Sequence, residues 1–153
     1  MYPKNQKQKI LEFLKQNKIC VLATISVDGK PEAAVIEYVA TDELQLIFNT
    51  FTDYRKYKNL KLSGNVAIVI WCGPVSVQYE GHAIEAHREV EKLCKKLHCE
   101  QIKHKTKFSA MSTIRYFKIK PKWIRYSDFS KKLWKVFEVS FKKDCSQPFY
   151  RHF

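Results

Sequence analysis

A chain of 153 residues that is 45% hydrophobic and 14% aromatic is too apolar for a disordered polymer and long enough to bury a core, so one domain over 1–153 is expected. Its formal net charge of +13 is lopsided: residues 1–102 hold 14 Lys and Arg against 12 Asp and Glu, whereas residues 103–153 hold 14 against 3. A positive field concentrated in the last third favours anionic ligands, nucleic acid or acidic surfaces without choosing among them.

The start, MYPKNQKQK, lacks the apolar stretch of a signal peptide, and no apolar run approaches bilayer length, so a cytoplasmic chain with no membrane segment is expected. Cys20, Cys72, Cys94, Cys99 and Cys145 are odd in number and irregularly spaced, which points to reduced thiols rather than a disulfide framework.

In chain order, residues 3–17 read as a helix, with Pro3 in the first turn and Ile10, Leu11 and Leu14 as its apolar stripe. Ile19–Val27 and Lys30–Val39 read as two strands joined at Asp28-Gly29, a strong hairpin signal. Leu44–Asn49 alternates Leu44, Leu46 and Phe48 with Gln45, Ile47 and Asn49, the period of a strand with one strongly apolar face. Thr50, Thr52 and Asp53 are cap-type residues for a helix over Tyr54–Leu62 that carries Tyr57, Leu60 and Leu62, and Ser63-Gly64-Asn65 ends it. Val66–Trp71 is a continuous apolar run that fits a fully buried strand.

After a turn at Gly73-Pro74, Val75–Ala86 alternates as a long antiparallel strand. His87 to about Ile102 reads as a helix with Val90, Leu93, Cys94 and Leu97 on one face, and 103–112 as a loop. Thr113–Lys120 and Lys122–Ser127 read as two strands divided by Pro121, 135–142 as a last strand, and FYRHF as a tail. The sum is an α+β fold, mainly β: an antiparallel, partly closed barrel of about six or seven strands with helices at its ends and a C-terminal extension over 130–153.

Chemistry concentrates where Arg55 and Lys56 follow Thr50 and Thr52 at a helix start. Unpaired amides, the positive end of the helix dipole, hydroxyls and two cations converge there as they would on a phosphate. Read locally, the pattern favours Arg55, Lys56, Lys58 and Lys61 as the solvated face of an amphipathic helix, since charge runs on helices are usually solvent faces.

The order ILEFL, ICVLATISVDGKPEAAVIEYV, LIFNTFTDYRKYKNLKLSGNVAIVIW, VQYEGHA and FKIKPKWIRYSDF resembles the FMN-binding split-barrel family typified by pyridoxamine 5′-phosphate oxidase, over roughly residues 5–130. The resemblance favours the phosphate reading. It implies a homodimer with FMN at the subunit interface and the phosphate held by Thr50, Arg55 and Lys56. The strand Ala34, Val35, Ile36, Glu37, Tyr38, Val39 would run beneath the flavin ring, and Asn49 would stand beside Thr50. Ser76 or Gln78 would approach the ring from the partner subunit.

The chain also departs from the true oxidase. The ends of the strand over Ala34–Val39 carry no basic residue, and Arg151-His152 lacks the context of the oxidase's substrate-holding arginine and histidine. An oxidoreductase acting on an unknown small acceptor is therefore expected, with no catalytic residue named. Other branches of the fold bind deazaflavin or haem, for which His82 and His87 stand as axial candidates.

Cys94, His98, Cys99 and His104 do not close a zinc-type spacing, and no metal site is expected. The basic last third interleaves Phe108, Tyr116, Phe117, Trp123, Tyr126, Phe129, Trp134, Phe137 and Phe141 with its cations, the composition of a single-stranded nucleic-acid surface; this non-catalytic module is the alternative.

Overall fold

The computed structural model describes residues 4–102 and 111–141. Helix α1 (Lys4–Gln16) leads into strands β1 (Ile19–Ile25), β2 (Pro31–Glu37), β3 (Val39–Ala40) and β4 (Leu46–Phe51). Helix α2 (Arg55–Leu62) then precedes β5 (Asn65–Cys72) and β6 (Val75–Glu85), and α3 (Arg88–Gln101) precedes β7 (Ile114–Asp128) and β8 (Lys135–Ser140). The eight strands form one antiparallel sheet in the order β2-β1-β5-β6-β7-β4-β3, with β8 added on β7. Its terminal strands β2 and β3 are consecutive in the chain, so the sheet curls round until its two ends meet through Tyr38.

The curl places the inward row of each strand in one core. Leu22, Ile36, Phe48, Ile68, Val77, Tyr79, Phe117 and Ile124 belong to it, and Ile10, Phe13 and Leu14 of α1 pack into it. Phe48 and Phe117 stack with ring centroids 5.5 Å apart. A second, smaller cluster lies under α3, where Val39, Ile47, Ile114 and Tyr116 meet Cys94 and Ile102. β4 is therefore buried on both faces, Leu46 and Phe48 in the first cluster and Ile47 in the second.

Several expectations are corrected by packing. Leu44 does not begin β4: its φ is +63°, it closes a turn by donating its N–H to Thr41 O, and its side chain is buried. The run Val66–Trp71 is not buried throughout. In β5, Val66, Ile68 and Ile70 point inward, while Val69 and Trp71 are 42% and 58% exposed on the outer face. Pro121 does not divide two strands. The β6–β7 register slips between Glu80 and Gly81, which pair with Trp123 and Pro121, so Lys122 is an extra bulge residue. Gly81 permits this close approach, since a Cβ there would stand 2.7 Å from both Ile119 Cγ2 and Lys120 O.

The helices shift too. Neither threonine nor Asp53 caps α2; Tyr54 stands at its N-cap with no side-chain cap bond, and Leu62 is 63% exposed. On α3 the buried residues are Cys94 and His98, while Val90 and Leu93 are exposed. Most of the 103–112 loop, the FYRHF tail and Arg151-His152 lie outside the described residues.

Candidate functional site

β4 carries the chain to Phe51, and the Thr52 N–H donates to Thr113 O at 2.9 Å before Asp53 and Tyr54 turn it into α2. The N-cap is extended (φ −76°, ψ 146°) with no side-chain cap bond, and the Tyr57 N–H turns back to Tyr54 O at 3.1 Å, so the Arg55 and Lys56 amides are those left to carry the positive end of the helix dipole. Arg55 and Lys56 stand in that turn. They border a depression of about 390 Å³ together with Thr24, Glu32, Ala34 and Tyr54.

The two cations differ in surroundings. Arg55, its side chain 80% exposed, forms an ion pair through Nη2 with Glu32 Oε1. Lys56 is half-buried and makes no ion pair with the described residues; its Nζ lies 4.8 Å from the centre of the Tyr54 ring. Burial pushes the Lys56 ammonium below its ordinary pKa. It is a partly desolvated cation without an anionic partner among the described residues.

Glu32 is held at both oxygens. It lies opposite Thr24 in the β1–β2 register, and the buried Asn59 of α2 donates from Nδ2 to Glu32 Oε2 at 2.8 Å and to Thr24 Oγ1 at 3.0 Å. Asn59, with Arg55 adding to it against the cost of burial, keeps the Glu32 carboxyl below the usual carboxylate range. Thr24, Glu32 and Asn59 were not among the residues singled out from sequence. Thr24 and Glu32 are ordinary strand residues in a linear reading, and only the hairpin register brings them under α2.

Thr50, at the end of β4, is 3% exposed, and its Oγ1 is buried with no hydrogen-bond partner among the described residues. Thr50 is not part of the depression's lining, and Asn49 beside it faces the other side of β4, half-buried and opposite Tyr116. Of the strand over Ala34–Val39, Ala34 borders the depression, Val35 and Glu37 face outward, and Ile36, Tyr38 and Val39 are buried. The Tyr38 hydroxyl is engaged with Leu14 O and Asn17 O. From Ile36, Tyr38 and Val39 only backbone groups remain to meet a ligand.

Ser76 and Gln78 share the outer face of β6, opposite Trp71 and Val69 of β5. That face continues across register through Val21 and Val35, and Ile19, Val35, Val69 and Trp71 are all large apolar side chains more than two-fifths exposed. It is an unusually apolar sheet surface with Gln78, Arg125 and Glu138 along one row of its continuation.

The aromatic residues of the last third divide. Tyr116, Phe117 and Tyr126 are buried, Phe137 packs against the core, and Trp123 Nε1 donates to Glu138 Oε2 at 3.2 Å. Phe129 and Trp134, edge to face at 5.1 Å, remain exposed at the β7–β8 connection, and Phe108 lies outside the described residues. Among the described residues no group of three or more His, Cys, Asp or Glu could hold a metal ion, and no helix is long and apolar enough to cross a membrane. His82 packs against Gly64, and burial, then Lys122 and Lys120, hold its pKa below the ordinary histidine value. His82 and His87 do not border the depression at α2.

A curled antiparallel sheet of eight strands with three helices has the form of a split barrel, mainly β with α. The family model for pyridoxamine 5′-phosphate oxidase matches residues 6–128, and the chain belongs to that family. Solved structures agree in fold. A heme binding protein from Mycobacterium smegmatis superimposes with a TM-score of 0.76 at 13% identity, over 92% of this chain and 59% of that one. A putative pyridoxamine 5′-phosphate oxidase from Listeria innocua gives 0.65 at 19% identity, over 79% of this chain and 97% of that one. HutZ, the heme storage protein from Vibrio cholerae, gives 0.61 at 17%, over 74% and 88%. The chain thus spans about three-fifths of the Mycobacterium smegmatis protein's length. No curated protein matches the sequence.

Proposed function

We propose that this chain is an FMN-binding flavoprotein, an oxidoreductase acting on a small acceptor, that works as a homodimer in the cytoplasm. The observation that supports the reading is Lys56: a half-buried cation without an ion pair among the described residues, at a helix start with no side-chain cap, beside a second cation and a depression. Unsatisfied positive charge next to free amides suits a phosphate monoester. The partnerless Thr50 hydroxyl, on the strand leading into α2, is a further donor in need of an acceptor. FMN, when bound, supplies hydride and electron transfer. This chain's part is to bind the phosphate through Arg55 and Lys56 at the depression and, once its buried hydroxyl is uncovered, through Thr50, to orient the ring along β2 through Ala34 and neighbouring backbone groups, and to exclude water.

Support for the homodimer comes from the outer sheet face. Ile19, Val35, Val69 and Trp71 expose apolar surface in adjoining register, and a second copy would remove it from water. Ser76 and Gln78 lie on the same face, so in such a dimer they would reach toward the partner. The free thiols Cys20, Cys72, Cys94 and Cys99 suit a reducing compartment. Two structural relatives are named for heme, which supports haem as the competing cofactor.

The visible spectrum of purified protein, with the released chromophore identified by mass, tests the reading. Flavin bands and FMN are expected; a Soret band, or a colourless protein that takes up no added FMN, would overturn it. Replacing both Arg55 and Lys56 with Ala should weaken FMN binding by about 100-fold or more while leaving the barrel folded, because exposed ion pairs contribute about 1 kcal/mol or less.

A further inference from the structure

The depression that would take the phosphate already contains an anion. Glu32 sits on Arg55, its carboxylate fixed from behind by Asn59, and its side chain is only 18% exposed whereas that of Arg55 is 80% exposed. Asn59 is itself tied to Thr24 of β1, so the carboxylate is set by the barrel and Arg55 is the solvent-exposed partner of the pair. We propose that Glu32 is a built-in competitor for the anion site: it occupies Arg55 when the site is empty, and a phosphate-bearing ligand must displace it from that guanidinium. The inference rests on the phosphate reading above and adds which residue limits the affinity.

The physical reason is charge. An incoming phosphate finds Lys56 unpaired but Arg55 neutralised, with a fixed carboxylate beside it. Like charges at close range weaken binding, and a ligand that must break an existing ion pair binds with only the difference between the old and new partners. A ligand of the same shape without the phosphate does not meet this competition. Glu32 therefore lowers the affinity of the site for phosphate-bearing ligands and leaves ligands that carry no anionic group at this position unaffected.

Glu32→Gln tests this with little change of shape, since the glutamine carbonyl can still accept from Asn59. FMN and riboflavin are titrated into flavin-stripped wild type, E32Q, R55A and the E32Q/R55A double variant, read by flavin fluorescence, with the thermal midpoint of each protein recorded. The expected result is FMN binding about tenfold tighter in E32Q, riboflavin unchanged, and the gain lost when Arg55 is absent. FMN binding that is unchanged or weaker in a folded E32Q would overturn the proposal and make Glu32 a support for Arg55 instead. Should wild type and E32Q both fail to bind FMN, the flavin reading falls, and inorganic phosphate decides the competitor separately. A larger phosphate-induced rise in thermal midpoint for E32Q than for wild type would uphold it, and equal rises would refute it.

Discussion

Replacing Thr50 with Val exchanges one buried hydroxyl for a methyl group and separates folding from binding. The side chain is 3% exposed and its Oγ1 has no partner among the described residues. Leaving a buried hydroxyl unsatisfied costs about 1–3 kcal/mol. Val keeps the β-branch that suits β4 and removes the cost, so the flavin-free variant should gain about 1 kcal/mol, or about 2–4 °C in Tm for a chain of this size. Binding should move the other way. A hydrogen bond to a phosphate contributes about 1.5–3 kcal/mol, so FMN affinity should fall about 10- to 150-fold. Urea and thermal unfolding of flavin-free protein give the first quantity, and fluorescence titration with FMN gives the second. A variant less stable than wild type would show that the hydroxyl is satisfied in the fold. One that binds FMN as tightly would remove Thr50 from the site.

Two further outcomes follow from buried polar groups. Tyr38→Phe should destabilise the protein by about 1–3 kcal/mol, read as the urea midpoint, because the hydroxyl serves Leu14 O at the last turn of α1, where helix carbonyls lack intrahelical partners; a shift within error would refute that capping contact. His98 is 8% exposed, edge to face with Tyr116, and burial lowers its pKa although Glu37 opposes the shift. The folded state therefore prefers the neutral ring. Its stabilising contribution is complete above the ordinary value of about 6.5 and is lost as pH falls through the folded pKa, because the unfolded chain takes up the proton first. The urea midpoint should fall between pH 7.5 and 5, and His98→Phe should reduce that slope; an unchanged slope would assign it elsewhere, His82 being the group with a shift of the same sign.

Period-two alternation in β4 and β6, the Asp28-Gly29 turn and the helical spacing of Ile10, Leu11 and Leu14 are local properties, and they suffice for the fold class, whereas Pro121 makes the single strand β7 read as two because the bulge at Lys122 that accommodates it is set by the β6–β7 register. Local pattern places Arg55 and Lys56 near a helix start but favours a solvated face for them; the phosphate reading comes from the family resemblance, and the cap-type residues Thr50, Thr52 and Asp53 do not cap the helix. What local pattern could not specify is which face of an apolar run meets the core. Val69 and Trp71 are as hydrophobic as Ile68 and Ile70, yet they point outward, because the curl of the sheet gives β5 only one inner face. Nor could it place Glu32 against Arg55, 23 residues away. That contact depends on the hairpin register that sets Glu32 opposite Thr24 and on Asn59 reaching both from α2. Register and curvature are collective properties of the whole sheet, so the anion already present in the site became visible only in three dimensions.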